Sequence, residues 1–151
     1  MCLLWGREFL KYHLKPDMKS LLFYLIIIYI GIFNTLYINK PLEQSMIEGK
    51  EIYDDFCVRC HLDNGKGEKG KNPPLANSDY LENIDKTIQS IKFGLSGPIW
   101  VNGEIYDSVM EYQGLDDEEI ADVVNYILNS WGNKHDQIIT EEKVSSIDES
   151  I

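Results

Sequence analysis

The chain has 151 residues, 44% hydrophobic and 26% charged, with 14 Lys+Arg against 25 Asp+Glu and a formal net charge of −11, one domain's worth of material. The charge is unevenly divided: residues 1–40 hold five basic and two acidic residues, whereas residues 41–151 hold nine and 23, a net of −14. An acidic body of this kind excludes nucleic acid as a partner, since phosphate binding needs Lys and Arg clustered on one face, and it suits basic protein partners instead.

In chain order, the first element is the uncharged run LLFYLIIIYIGIFNTLYI, residues 21–38, bracketed by Lys19 and Lys40. At ~1.5 Å per residue it just spans a bilayer core of ~30 Å. That predicts a transmembrane helix, because a small domain cannot surround a helix that is apolar on every side. Arg7, Lys11, Lys15 and Lys19 precede it against Glu8 and Asp17, so the positive-inside tendency puts residues 1–20 in the cytoplasm and everything after Lys40 outside. The following YINKPLEQS lacks a small-x-small cleavage site, which favours a retained single-pass anchor over a cleaved signal sequence. Met18 offers an alternative start that would make residues 1–17 an artefact of start-site choice. Cys2 has no lipoprotein context and is assigned no function. Residues 39–44 read as a linker.

Beyond the linker the pattern is that of short helices. SMIEGKEIYDDFC places Met46, Gly49, Ile52, Tyr53 and Phe56 at helical spacing with Ser45 as N-cap. The stretch LDNGKGEKGKNPPLANS is too rich in Gly, Asn, Lys and Pro for regular structure and is read as a loop. IDKTIQSIKFG follows with Asp85 as N-cap, an Ile84/Ile88/Ile91 stripe and Gly94 as stop. A second loop carries a small hairpin at Asn102-Gly103 and then Met110. The clearest helix is last: Asp116 and Glu119 form a capping-box start, and Ile120, Val123, Val124, Ile127, Leu128 and Trp131 form one apolar face. Residues 133–151 are polar and acidic without sustained period and read as a flexible tail. The fold class is all-α, and short helices with two loops of more than 15 residues leave the core underfilled unless something else occupies it.

That something is indicated by FCVRCH, residues 56–61, which holds two of the three cysteines. Cys-x-x-Cys serves redox disulfides, half of a zinc site, or covalent haem attachment. A thioredoxin-type site needs a βαβ context that is missing, and a zinc site needs four ligands where only His61 and distant His135 accompany Cys57 and Cys60. Haem attachment needs a histidine directly after the second cysteine, and His61 is there. An electron carrier needs a ligand on the other haem face as well. His135 lies in the tail and Met46 reads as core filler, which leaves Met110, in the loop before the capped helix. One haem c per chain would also fill the core.

The order Gly49-x-x-x-Tyr53-x-x-x-Cys57-x-x-Cys60-His61, then PPL, the Gly-rich loop with Met110, and LDDEEIADVVNYILNSWG, resembles the class I c-type cytochromes over residues 45–132. The resemblance is strongest to the monohaem domains of bacterial respiratory chains. It implies the cytochrome c fold, thioether links at Cys57 and Cys60, proximal ligation by His61, distal ligation by Met110 and a hydrogen bond from the His61 ring to the Pro73 carbonyl. It also implies that Gly49 and Tyr53 meet the last helix near Val124 and Leu128. The expected function is one-electron transfer between membrane-associated respiratory or dehydrogenase complexes on the periplasmic side, without a small-molecule substrate or an enzymatic reaction, through redox partners bearing a basic docking patch. Two other readings remain: a haem sensor or peroxidase-like domain with an open sixth position, and a structural haem subunit of a larger oxidoreductase. Trp100 has no family role that the motif assigns.

Overall fold

The computed structural model describes residues 17–37 and 40–149. Arg7, Glu8, Lys11 and Lys15, on which the orientation argument rests, lie outside the described residues, as does Cys2. The chain divides into two units, residues 1–40 and residues 41–151. In the first, α1 runs Met18–Tyr37, and every side chain described from Leu21 to Ile32 is exposed. Among the described residues no helix is long and apolar enough to cross a membrane. Of the expected span over residues 21–38, the described part, residues 21–37, is helical.

The second unit is built from α2 (Leu42–Ile52), a π-helical turn (Tyr53–Cys57), α3 (Val58–His61), a 3-10 turn (Asp79–Glu82), α4 (Ile84–Phe93), the strands β1 (Ile99–Val101) and β2 (Glu104–Tyr106), α5 (Asp117–Leu128) and α6 (Glu141–Ser145). Its frame is the crossing of α2 over α5. A Cβ added at Gly49 would sit 2.0 Å from the Asp122 carbonyl oxygen and 2.9 Å from the Val123 nitrogen, so only glycine lets the two backbones meet. The Gly49 contact lies at Asp122 and Val123, beside the Val124 that the resemblance implied, and Tyr53 packs against Tyr126, between Val124 and Leu128. Beneath the crossing is a buried polar chain: Ser45 Oγ donates to Asp122 Oδ1 at 2.6 Å, and Asn125 Nδ2 donates to Ser45 Oγ at 2.9 Å. Ser45 is therefore not the N-cap expected from its position; α2 begins after Pro41, and the hydroxyl is turned to Asp122.

Three further expectations meet the structure at the level of single residues. Asp116 accepts from the Glu119 N–H and Glu119 Oε2 accepts from the Asp116 N–H, both at 2.9 Å, a complete capping box. α4 is capped by Asn83, whose Oδ1 accepts from the Lys86 N–H at 3.1 Å; Asp85, the expected cap, pairs with Lys143 instead. The hairpin closes at Asn102-Gly103, with Trp100 opposite Ile105.

The expected flexible tail, residues 133–151, is corrected over its described part. α6 packs with Val144 fully buried, and Ile139 and Ile147 join the same core as Tyr53, Ile88, Ile120 and Val124. Asn125 fixes the approach by a paired bond with Ile139, donating to its carbonyl and accepting from its N–H, each at 2.8 Å. Three apolar residues spaced five and three apart make no helical or strand period, yet they complete the core.

Candidate functional site: a cavity between the cysteine motif and Met110

The cysteine motif is delivered by one continuous helical path, α2 through the π turn into α3. The turn inserts an extra residue, with the Val58 N–H bonding back to the Tyr53 carbonyl, a widening that π turns commonly make at functional sites. His61 ends α3 and is buried. Its Nδ1 donates to the Pro73 carbonyl at 3.0 Å, a bond the resemblance implied; with that nitrogen engaged, Nε2 is the one left to bind a metal. Burial holds the imidazole below the usual histidine range, opposed by the bond to Pro73, so the ring is neutral near pH 7 and suited to ligation.

Immediately after His61, Leu62 turns the chain with φ 62° and ψ 160°, a conformation normally reserved for glycine. Four bonds hold it, one of them from the Leu62 N–H to the Val58 carbonyl at 2.9 Å. The Tyr53 hydroxyl and the Gly65 N–H both donate to the Leu62 carbonyl, at 2.6 and 3.0 Å, and the Gly67 N–H donates to the His61 carbonyl at 2.9 Å. Tyr53 itself stacks in a tilted cluster with Tyr126 and Trp131, its ring 5.4 and 5.0 Å from theirs. The frame of the domain thereby reaches the backbone next to His61.

Met110 arrives by another route. Its N–H and carbonyl both pair with Leu95, each at 2.8 Å, in a two-residue bridge just past the end of α4. Gly94 makes the junction, with φ 82° and an added Cβ only 2.8 Å from the Met110 carbonyl oxygen. Met110, a loop residue, is thus pinned by its own backbone.

Cys57, Cys60, His61, Pro73, Leu95 and Met110 line one cavity of about 410 Å3. An adjoining apolar recess shares Cys57, His61, Pro73 and Met110 and reaches inward to Leu81, Val101 and Ile127. Ser78 lines this recess, and among the described residues its hydroxyl is the only buried side-chain polar atom without a hydrogen-bond partner, which calls for a polar group on whatever fills the space. Phe56 and Val109, both exposed, line the outer cavity. Phe56 was read only as part of a helical apolar stripe, and Val109, Leu95 and Ser78 carried no sequence signal, since each is defined by packing across loops. His135 does not line either space; its N–H donates to Asn129 Oδ1 at 3.3 Å. Trp100 is 66% exposed and is likewise outside both.

Burial, and secondarily Cys60, pushes the Cys57 thiol up to about 12, whereas dithiol exchange depends on a lowered thiol pKa. A zinc site is equally unsupported: among the described residues, the one set of three or more potential ligands drawn within 4.8 Å is Glu48, Glu118 and Asp122, remote in sequence from the cysteines. Two cysteines and a histidine in haem-attachment spacing, a thioether on the same cavity, an adjoining apolar recess and an orphan hydroxyl in that recess fit a haem. Fold and site together define a c-type haem protein.

The family model described as Cytochrome c matches residues 46–131, and the chain belongs to the cytochrome c family, whose members are electron carriers that bind covalently attached haem c. It is 38% identical over 99 residues to cytochrome c-552 of Thermus thermophilus, an alignment covering 61% of this chain and 66% of that protein. It is 31% identical over 108 residues to the cytochrome c subunit of a quinone alcohol dehydrogenase from Gluconacetobacter polyoxogenes, covering 68% of this chain and 23% of that one. A third similarity, 30% over 96 residues and 58% of this chain, is to the CcoP subunit of a cbb3-type cytochrome c oxidase from Azospirillum brasilense, of which 29% is covered. The chain thus spans about two thirds of the first relative and under a third of the other two.

Replacing Leu62 by glycine should stabilise the domain by about 1 kcal/mol, since the relieved backbone strain exceeds the added unfolded-state entropy and the side chain is 41% exposed. Chemical denaturation of the wild-type and Leu62→Gly haem proteins checks this; a glycine variant that is equally or less stable would show that the turn carries no strain.

Proposed function

We propose that the domain is a one-electron carrier with haem c bound through thioethers at Cys57 and Cys60, His61 as proximal and Met110 as distal iron ligand. One observation carries the reading: an imidazole with Nδ1 engaged and a methionine pinned by its backbone line a single cavity. Haem c supplies a ferric/ferrous couple, and thioether ligation favours the reduced iron and a higher potential. The chain's part is positional. Pro73 orients His61, Leu95 orients Met110, and the recess walls exclude water, so little must rearrange when the charge changes. The exposed Phe56 and Val109 at the cavity form an apolar border suited to brief docking.

Optical spectra of the purified protein test the site. Reduced bands of c-type shape and a methionine-to-iron charge-transfer band in the oxidised form are expected. Met110→Ala should abolish that band, lower the potential and admit carbon monoxide to the ferrous iron. Retention of the band in Met110→Ala would remove Met110 from the coordination sphere.

We further propose that α1 is a retained single-pass membrane anchor holding the haem domain on the periplasmic side. An uncharged run of 18 residues and the exposed side chains of Leu21 to Ile32 support this. A tether of this kind raises the effective concentration of the carrier near membrane complexes, and relatives named as dehydrogenase and oxidase subunits are compatible with such partners. The native protein should remain with membranes through high-salt and alkaline washing. Its release, or a mature N-terminus beyond Ile38, would overturn the anchor.

The net charge of −14 over residues 41–151 supports a redox partner with a basic docking patch. The acidic run at 116–119 contributes less than its density suggests: Asp116 and Glu119 are occupied in the capping box, and Asp117 pairs with Lys92 at 3.0 Å. The attraction therefore belongs to the acidic surface as a whole. Electron transfer to the physiological partner should slow several-fold as salt rises from low to physiological ionic strength, as screening shortens to ~8 Å; a rate indifferent to salt would exclude a charge-steered partner.

A further inference from the structure

The segment after residue 131 lies outside the part of the chain that the family model matches, yet it is joined to α4 along the whole length of that helix. Near the start of α4, Asp85 pairs with Lys143 at 2.5 Å. In the middle, Gln89 Nε2 donates to the Glu149 carbonyl at 2.8 Å. Near the end, Lys92 Nζ donates to the Val144 carbonyl at 2.9 Å while also pairing with Asp117 of α5 at 3.0 Å. Two residues further on, Gly94 leaves room for the Met110 carbonyl oxygen, which would lie 2.8 Å from an added Cβ, and Leu95 pairs with Met110 in both directions. Glu149 and Met110 border the same surface recess, of about 360 Å3.

From this continuity we infer that residues 139–149 are a strap that holds α4, and through Gly94 and Leu95 the Met110 loop, so that the strap sets how firmly the methionine closes the sixth position. The inference rests on the reading of Met110 as an iron ligand. Mechanically, Met110 has no helix of its own. Among the described residues its backbone is hydrogen-bonded only to Leu95, the second residue after α4, so any slack in α4 is passed to it. The strap removes that slack at three points, while Ile139, Val144 and Ile147 seat it in the core. Gln89, Lys143 and Glu149 act here as positioning residues and do not touch the cavity that Met110 shares with His61.

The test uses the full haem protein and two sets of variants. Gln89→Ala with Lys143→Ala severs two of the strap's ties without removing a core side chain. Val144→Ala loosens its seat, and Val123→Ala, at the α2–α5 crossing, is the control for a comparable loss of core volume. Three readouts are compared: helicity by circular dichroism and the methionine charge-transfer band, both through denaturant titration, and the rate of carbon monoxide binding to the reduced protein. The ties are worth on the order of a few-fold to tenfold in the population of the open position. Carbon monoxide binding should quicken by that factor in the double variant and in Val144→Ala, with the band lost at lower denaturant than helicity. Val123→Ala should shift both titrations together. If the strap variants also shift both together and bind carbon monoxide at the wild-type rate, the segment only stabilises the fold and the inference fails. If Met110→Ala keeps the band, the ligand assignment has failed, and the strap's role falls with it for that separate reason.

Discussion

The close crossing of α2 and α5 at Gly49 is the constraint on which the remaining geometry depends. Because the backbones meet with no side chain between them, the path leading into Cys57, Cys60 and His61 has a fixed origin on α5, and the aromatic trio of Tyr53, Tyr126 and Trp131 can close around its far end. The polar chain Asp122–Ser45–Asn125 sets the register of this crossing as well as its distance, since a buried carboxylate and amide with specific partners tolerate no sliding. From Asn125 the same network passes to Ile139, so one buried amide ties the helix that leads into the cysteine motif to the segment that restrains α4.

The two sides of the cavity are held by different means. His61 is fixed by a helix end, a strained turn and the Pro73 carbonyl. Met110 is fixed by a single backbone bridge. The loops between them carry little regular structure but are tied by asparagines: Asn77 to Asn133 and Trp131, Asn102 to Asp79 and Asn77, Asn133 to Leu75 and Ile127. Amide side chains can both donate and accept, so each replaces several backbone bonds that a strand or helix would have supplied. Long connections that would otherwise remain loose are thereby held against a cavity whose occupant makes up part of the core.

Much of this was legible in the sequence where chemistry is local. The Cys-x-x-Cys-His order, the capping box of Asp116 and Glu119, the Asn102-Gly103 hairpin and the Gly94 stop are each determined by a few consecutive residues, and each appears where the pattern put it. What was not legible depends on distant partners. Ser45 looks like a cap until Asp122 is beside it, and Asp85 until Lys143 is. Ile139, Val144 and Ile147 lack a period because they occupy gaps left by other elements. The Tyr53–Cys57 π turn and the strain at Leu62 have no composition of their own. The helix at Met18–Tyr37 was legible as a helix; its place in a membrane depends on surroundings that a single chain does not contain.

The burial of Val144 and Ile147 has a consequence for biogenesis. Ribosomes deliver the chain from its N-terminus, and the core lacks three of its apolar residues until synthesis has passed Ile147. Asn125 waits on Ile139 for two of its bonds, and Ser45 waits on Asn125 across 80 residues. Contacts of such wide separation form late and slowly. The cysteine motif, complete by residue 61, therefore emerges long before the domain can close over it, and the nascent chain passes through a period in which both thiols are reachable for covalent attachment.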